Sequence, residues 1–144
     1  MFSDNDSLPT AVQTAKERDL KPLAEESAEA LELDSRQLAE MEAYLQDAWF
    51  FGIRTGHRVM VETKMGETDP TPVIAGMQDE FQELMERLGD ALNTTVGATI
   101  QAWNYLGRAW IAGAKFWEVE IAARLIESRS GGFDAVLRRL DETD

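Results

Sequence analysis

Residues 44–54, Tyr-Leu-Gln-Asp-Ala-Trp-Phe-Phe-Gly-Ile-Arg, return as residues 105–115, Tyr-Leu-Gly-Arg-Ala-Trp-Ile-Ala-Gly-Ala-Lys. Tyr44, Leu45, Ala48, Trp49 and Gly52 recur as Tyr105, Leu106, Ala109, Trp110 and Gly113, and Arg54 is answered by Lys115, each pair 61 positions apart. Upstream at the same offset, Leu20, Leu23, Glu25, Ala30 and Leu31 face Phe81, Leu84, Glu86, Ala91 and Leu92. Unrelated stretches of eleven share roughly one identity at ordinary residue usage. Five identities, a Trp pair among them, therefore predict an internal duplication, with repeats over 18–65 and 79–126.

Within each repeat the apolar spacing is helical. Leu23, Ala24, Ser27, Ala28, Ala30 and Leu31 predict a helix A over about 22–32, preceded by a short helix from Pro9 that ends before Pro22, because proline disfavours helix at the preceding residue. Asp34 or Ser35 offers an N-cap for helix B, in which Leu38, Met41, Leu45, Ala48, Trp49, Gly52, Gly56 and Val59 recur at three- and four-residue steps to about Lys64. Gly66–Pro72 is the expected linker, with Thr71 capping helix C and Pro72 in its first turn. Helix C runs to about Leu92, and Thr94 or Thr95 caps helix D, whose apolar positions from Val96 to Ile121 occupy more than one stripe until Ser130-Gly131-Gly132. Residues 1–8 read as a mobile tail and 133–140 as a short amphipathic helix. No strand-like alternation of useful length occurs. The predicted fold is all-α and a single domain over 1–144: tandem helical hairpins in a four-helix bundle-like arrangement with two long central helices, B and D.

A chain of 144 residues with 44% apolar and 28% charged side chains is long enough for one ordinary core. The net charge of −13 disfavours contact with nucleic-acid phosphates or anionic membranes. Between Glu17 and Asp47 there are ten acids and three bases, and residues 79–90 carry five acids and one base. Negative charge is thereby concentrated on helices A and C and the start of B. Cysteine is absent, which removes disulfides, thiolate zinc sites and cysteine nucleophiles and suits a reducing compartment. The acidic N-terminus lacks signal-peptide character, and the uncharged run 91–107 is too polar to span a bilayer. The expected location is cytoplasmic.

The repeated residues define the candidate sites. Ala48, Gly52 and Gly56 on helix B, and Ala109 and Gly113 on helix D, lie at four-residue steps and predict close helix packing, with Gly52 meeting Gly113. A mid-helix glycine costs about 1 kcal/mol relative to alanine, so packing must offset it. Tyr44, Trp49 and Arg54 with Tyr105, Trp110 and Lys115 form two matched aromatic-and-cation sets that could grip one planar or anionic ligand, although core packing is the preferred reading of the tryptophans. His57 is the sole histidine and has no Glu three residues before it, as a di-iron bundle would require. Phosphate-cradling glycine loops and a Gly-x-Ser-x-Gly elbow are absent.

Carboxylates supply the enzymatic alternative. Glu83-x-x-Glu86 on helix C is similar to the Glu-x-x-Glu half of the metal motif of all-α nucleotide pyrophosphohydrolases of the MazG type. That resemblance implies Mg²⁺ or Mn²⁺ held by Glu83, Glu86 and an acid near Glu118. Helix D offers Glu118, Glu120 and Glu127 but not the Glu-x-x-Asp pair that completes the motif. The leading expectation is instead non-enzymatic and without a cofactor: an acidic helical interaction or regulatory protein, homodimeric through helices B and D, binding a protein partner, with a basic nucleic-acid-binding protein as one candidate. A small-ligand-binding bundle is the third reading.

Overall fold

The computed structural model describes residues 8–63 and 67–122. Four helices, α1 (Leu8–Ala30), α2 (Ser35–Glu62), α3 (Thr71–Leu92) and α4 (Val96–Phe116), are followed by a π-helical turn, Trp117–Ala122. The segments expected beyond Ala122, including the helix over 133–140, lie outside the described residues, as does the tail over 1–7.

Each helix end has a local cause. Asp34 caps α2: its Oδ1 accepts from the Gln37 amide at 2.8 Å, and Gln37 Oε1 accepts from the Asp34 amide at 3.0 Å. This reciprocal pair satisfies two amides that the helix leaves unpaired. Thr95 caps α4 through the Ala98 amide at 3.1 Å. Helix α3 ends at Asn93, in the left-handed conformation that asparagine tolerates best among non-glycine residues. Helix α1 ends in a Schellman closure, with the Leu33 amide donating to the Ala28 carbonyl and the Glu32 amide to Glu29. Glu32 takes the left-handed position there, at φ 51°.

Two expectations about proline and threonine are corrected. The chain does not break before Pro22; α1 passes through it without interruption. Proline within a helix costs about 3 kcal/mol, but Leu20 and Leu23 on either side are buried, at roughly 1.5–3 kcal/mol each. Pro22 itself faces solvent, where the freed Arg18 carbonyl can take water. Thr71 does not cap α3 but opens it, while Pro70 occupies the cap position. The acceptor is Asp69, which receives the Thr71 amide at 3.0 Å and the Thr71 hydroxyl at 2.8 Å. Those two bonds hold the Asp69 carboxyl below its ordinary pKa.

Helices α2 and α4 form the centre. Near the start of α2, Gln37 Nε2 and Arg36 Nη1 donate to the Leu92 and Ala91 carbonyls that end α3, each at 3.0 Å; near the end of α2, Arg58 reaches Glu80. Helix α3 is thus antiparallel to α2. It is also antiparallel to α4, since Thr99 lies against Gly89 and Trp103 Nε1 donates to the Met85 carbonyl at 2.7 Å. It follows that α2 and α4 run the same way. Helices α1 and α3 share no contact among the described residues, so each covers its own flank of the central pair.

The central pair meets backbone to backbone. A methyl group on Gly52 would collide with the Trp110 carbonyl and stand 2.7 Å from the Ala114 nitrogen. One on Gly113 would collide with the Trp49 carbonyl and stand 2.8 Å from its carbon. Each glycine therefore receives the carbonyl of the tryptophan three residues before the other. Ala48 and Ala109, one turn earlier, are fully buried. Four residues on, Gly56 accommodates the Trp117 ring, whose Cδ1 would lie 2.6 Å from an added Cβ. On the α1 side the core is built from Val12, Ala15, Leu20 and Leu23 against Trp49, Phe50 and Phe116.

Two outcomes follow. Gly52→Ala or Gly113→Ala is expected to destabilise by about 2–3 kcal/mol in urea denaturation, since the obstacle is backbone, whereas Gly76→Ala, with open space around it, should stabilise by about 0.5–1 kcal/mol. Glu32→Gly relieves a left-handed residue that costs roughly 1–2 kcal/mol; the expected result is a rise in melting temperature.

Candidate functional site

The feature that the bundle leaves open lies on the α3 side. The second half of α2, α3, α4 and the π-helical turn enclose a groove of about 1230 Å³. Its base is an aromatic ladder: the Phe81 ring stacks on Trp110 with centroids 4.5 Å apart, and Phe51 approaches Trp110 edge-on at 5.5 Å. The polar atoms of that base are paired. Trp110 Nε1 donates to Thr55 Oγ1 at 2.9 Å, and Thr55 Oγ1 donates to the Phe51 carbonyl at 2.8 Å. Thr63 at the far end of α2 donates its hydroxyl to the Val59 carbonyl.

Side chains 61 positions apart on the two central helices differ in size at two places beside the groove. Helix α4 and its turn present Phe116, Trp117 and Ile121, all buried in the core. The positions 61 residues earlier on α2 are Thr55, Gly56 and Met60, which line the groove; Thr55 and Gly56 are much smaller than Phe116 and Trp117, and Trp117 reaches the groove beside Gly56. The wall from α4 changes in the opposite sense. Ile100 and Trp103 stand where α2 has Ala39 and Glu42, so α4 is apolar on a face where α2 is polar. Three isoleucines at the groove remain exposed: Ile74 at 37%, Ile100 at 49% and Ile111 at 57%. Among the described residues the charged ones that line it are both acids, Glu86 and Glu118, accompanied by the amides Gln78, Gln82 and Asn104.

Of the six residues expected to hold a ligand, Trp110 alone lines this groove. Trp49 is wholly buried on the α1 side, where its Nε1 donates to Asp19 Oδ2 at 3.0 Å and its ring lies 5.2 Å from Phe116. The two tryptophans thus do not form facing walls, because their indole nitrogens find different acceptors. Position 80, the counterpart of Asp19, holds a glutamate engaged with Arg58 at 3.4 Å. Tyr44 and Tyr105 are half-buried against the core, with the Arg108 guanidinium 5.4 Å over the Tyr105 ring; Arg54 and Lys115 are exposed.

The carboxylates expected to bind Mg²⁺ or Mn²⁺ are likewise divided. Glu86 and Glu118 line the groove and Glu83 does not; among the described residues no three His, Asp or Glu side chains converge as a metal would require. The His57 ring packs edge-on to Trp117 at 5.3 Å. Gly52 and Gly113 meet, Ala48 and Ala109 flank them, and Gly56 seats Trp117. The small-residue faces of helices B and D are thus packed on one another within one chain, as their four-residue spacing predicted.

No family model, curated protein or solved structure matches this chain. No helix among the described residues is long and apolar enough to cross a membrane.

The difference between core and groove has a measurable outcome. Trp49→Phe removes buried volume and leaves Asp19 short of a donor, and should cost about 2–3 kcal/mol in urea denaturation. Ile111→Ser, on an exposed rim, should change stability by less than about 0.5 kcal/mol.

Proposed function

We propose that the protein is a non-enzymatic interaction module whose groove receives the apolar face of a basic amphipathic helix from a partner protein. The observation that carries this reading is the open apolar groove with three isoleucines exposed on it. An exposed apolar patch is costly to leave in water and marks an interaction surface. Small-molecule sites usually enclose about 300–1,000 Å³ and most of their ligand, whereas this groove is larger, with Ile74, Ile100 and Ile111 exposed on it. From Ile100 to Glu118 its α4 wall runs over 18 residues, roughly 27 Å at 1.5 Å per residue. That is the span of several turns of a docked helix, a recognised mode of peptide binding. With acids but no bases among its described lining residues, and a chain charge of −13, the groove favours a basic partner over an acidic one.

The reading includes descent from a duplicated hairpin, in which one copy kept a filled flank and the other opened a groove. It is supported by helix starts at Ser35 and Val96, separated by the same 61 residues as the repeated motif. The absence of cysteine fits action in the cytoplasm.

The test is titration with a synthetic leucine–lysine amphipathic helical peptide, followed by tryptophan fluorescence and calorimetry. One saturable site that persists at high salt is expected, and Ile100→Glu with Ile111→Glu should weaken it by at least about tenfold, 1.4 kcal/mol, without lowering the melting temperature. Binding that vanishes with salt, or that ignores the isoleucine changes, would refute the groove as the interaction surface.

A further inference from the structure

The described part of the chain ends at Ala122, in the turn whose Trp117 and Glu118 line the groove. Twenty-two residues of sequence follow, 123–144. Among them Phe133, Val136, Leu137 and Leu140 fall at i, i+3, i+4 and i+7, the spacing of one helical face, directly after Ser130-Gly131-Gly132. Arg138 and Arg139 sit between the last two anchors.

We infer that the groove's resident occupant is this chain's own segment 133–140, which a partner helix must displace. The inference rests on the groove reading above and names the ligand that the site holds at rest. Four features agree. The anchors have the i, i+3, i+4, i+7 pattern by which a helix enters an apolar groove. An eight-residue helix is roughly 12 Å long against a wall of roughly 27 Å, so it fits within the groove. The ten residues 123–132 can extend to roughly 33–36 Å, enough to reach either end from Ala122. Arg138 and Arg139 supply the positive charge that Glu86 and Glu118 lack among the lining residues.

Tethering decides between this segment and the same segment of a second copy. A short flexible connection gives an effective concentration on the order of millimolar, far above that of free chains in dilute solution. Even weak docking would keep the groove filled from within. A partner helix must then exceed the tethered segment in affinity, so the segment sets a threshold for binding and shields the exposed isoleucines in the partner's absence.

The absence of cysteine makes a direct test clean. In the full chain, Leu137→Cys is combined with Ile100→Cys or with Ile111→Cys, and as a control with Gln13→Cys on the exposed face of α1. Mild oxidation should form a disulfide within a single 16.1 kDa chain for at least one groove pair and not for the control. Disulfides only between chains, with a doubled mass, would assign the groove to a second copy and overturn the inference; absence of any groove disulfide would also overturn it. In parallel, the full chain bearing Phe133→Glu and Leu137→Glu is titrated with the leucine–lysine peptide. Release of the segment should raise the peptide's affinity by at least about tenfold over the unmodified chain, as expected when a competing tethered ligand is removed. Equal affinity for the two forms would refute the resident segment and leave the groove reading standing, whereas no binding to either form would remove both.

Discussion

At Gly52 and Gly113 two helices touch through their backbones, and every other element is placed by that contact. Neither position tolerates a Cβ, because the facing atoms are carbonyl and amide groups held in their own helical hydrogen bonds. With α2 and α4 fixed this closely, their side chains must project to the two flanks. Helix α1 takes one flank and α3 the other, without touching each other among the described residues. Surface ion pairs such as Arg108 with Glu26 and Arg18 with Glu120 bridge α1 to α4 and its turn. Exposed as they are, such pairs contribute little beside the buried aromatic core.

The two flanks are unequal for a reason of volume rather than of backbone. Phe116, Trp117 and Ile121 occupy the interior, and Trp117 does so by crossing to the space above Gly56. A glycine at one position and a tryptophan at the position 61 residues later is a complementary choice, since two large side chains could not share that place and two small ones would leave a void. Trp117 thereby forms part of the groove wall on the α3 flank. Phe81, Trp103 and Trp110 are then left as walls, with their polar atoms paired to Thr55 and to the Met85 carbonyl so that the apolar surface carries no unsatisfied group.

Much of the fold was legible in the sequence because its signals are local. Asp34 and Thr95 mark helix starts by side chains that reach amides three residues away, and Asn93 marks an end by its tolerance of a left-handed backbone. The glycine stripe announced a close crossing because nothing else offsets glycine inside a helix. Pro22 misled because its local cost is outweighed by burial of Leu20 and Leu23, which only tertiary structure reveals. Thr71 misled because Asp69, two residues earlier, takes its amide and hydroxyl. The groove was harder to read. Its signal was the second apolar stripe of α4, including Ile100 and Trp103, yet the recurring Tyr, Trp and cation residues drew attention away from it, and of those six only Trp110 lines the groove. Trp49 and Trp110 look equivalent in sequence, but Asp19 receives one indole and Thr55 the other.

The central crossing also bears on how the chain reaches its fold. Most small helical bundles pack neighbours in sequence and close short loops, which makes their folding fast. Here the decisive contact joins residues 61 positions apart, and the last carbonyls of α3 take donors from Arg36 and Gln37, 55 residues earlier. Loop closure must come before the glycines can meet, and its entropic cost grows with the length enclosed. The α1–α2 hairpin alone would lack Gly113 and the α3 carbonyls, and the α3–α4 hairpin alone would lack Gly52 and these donors. The contacts that define the bundle are therefore non-local in sequence, which gives the chain a higher contact order than a bundle of sequential neighbours.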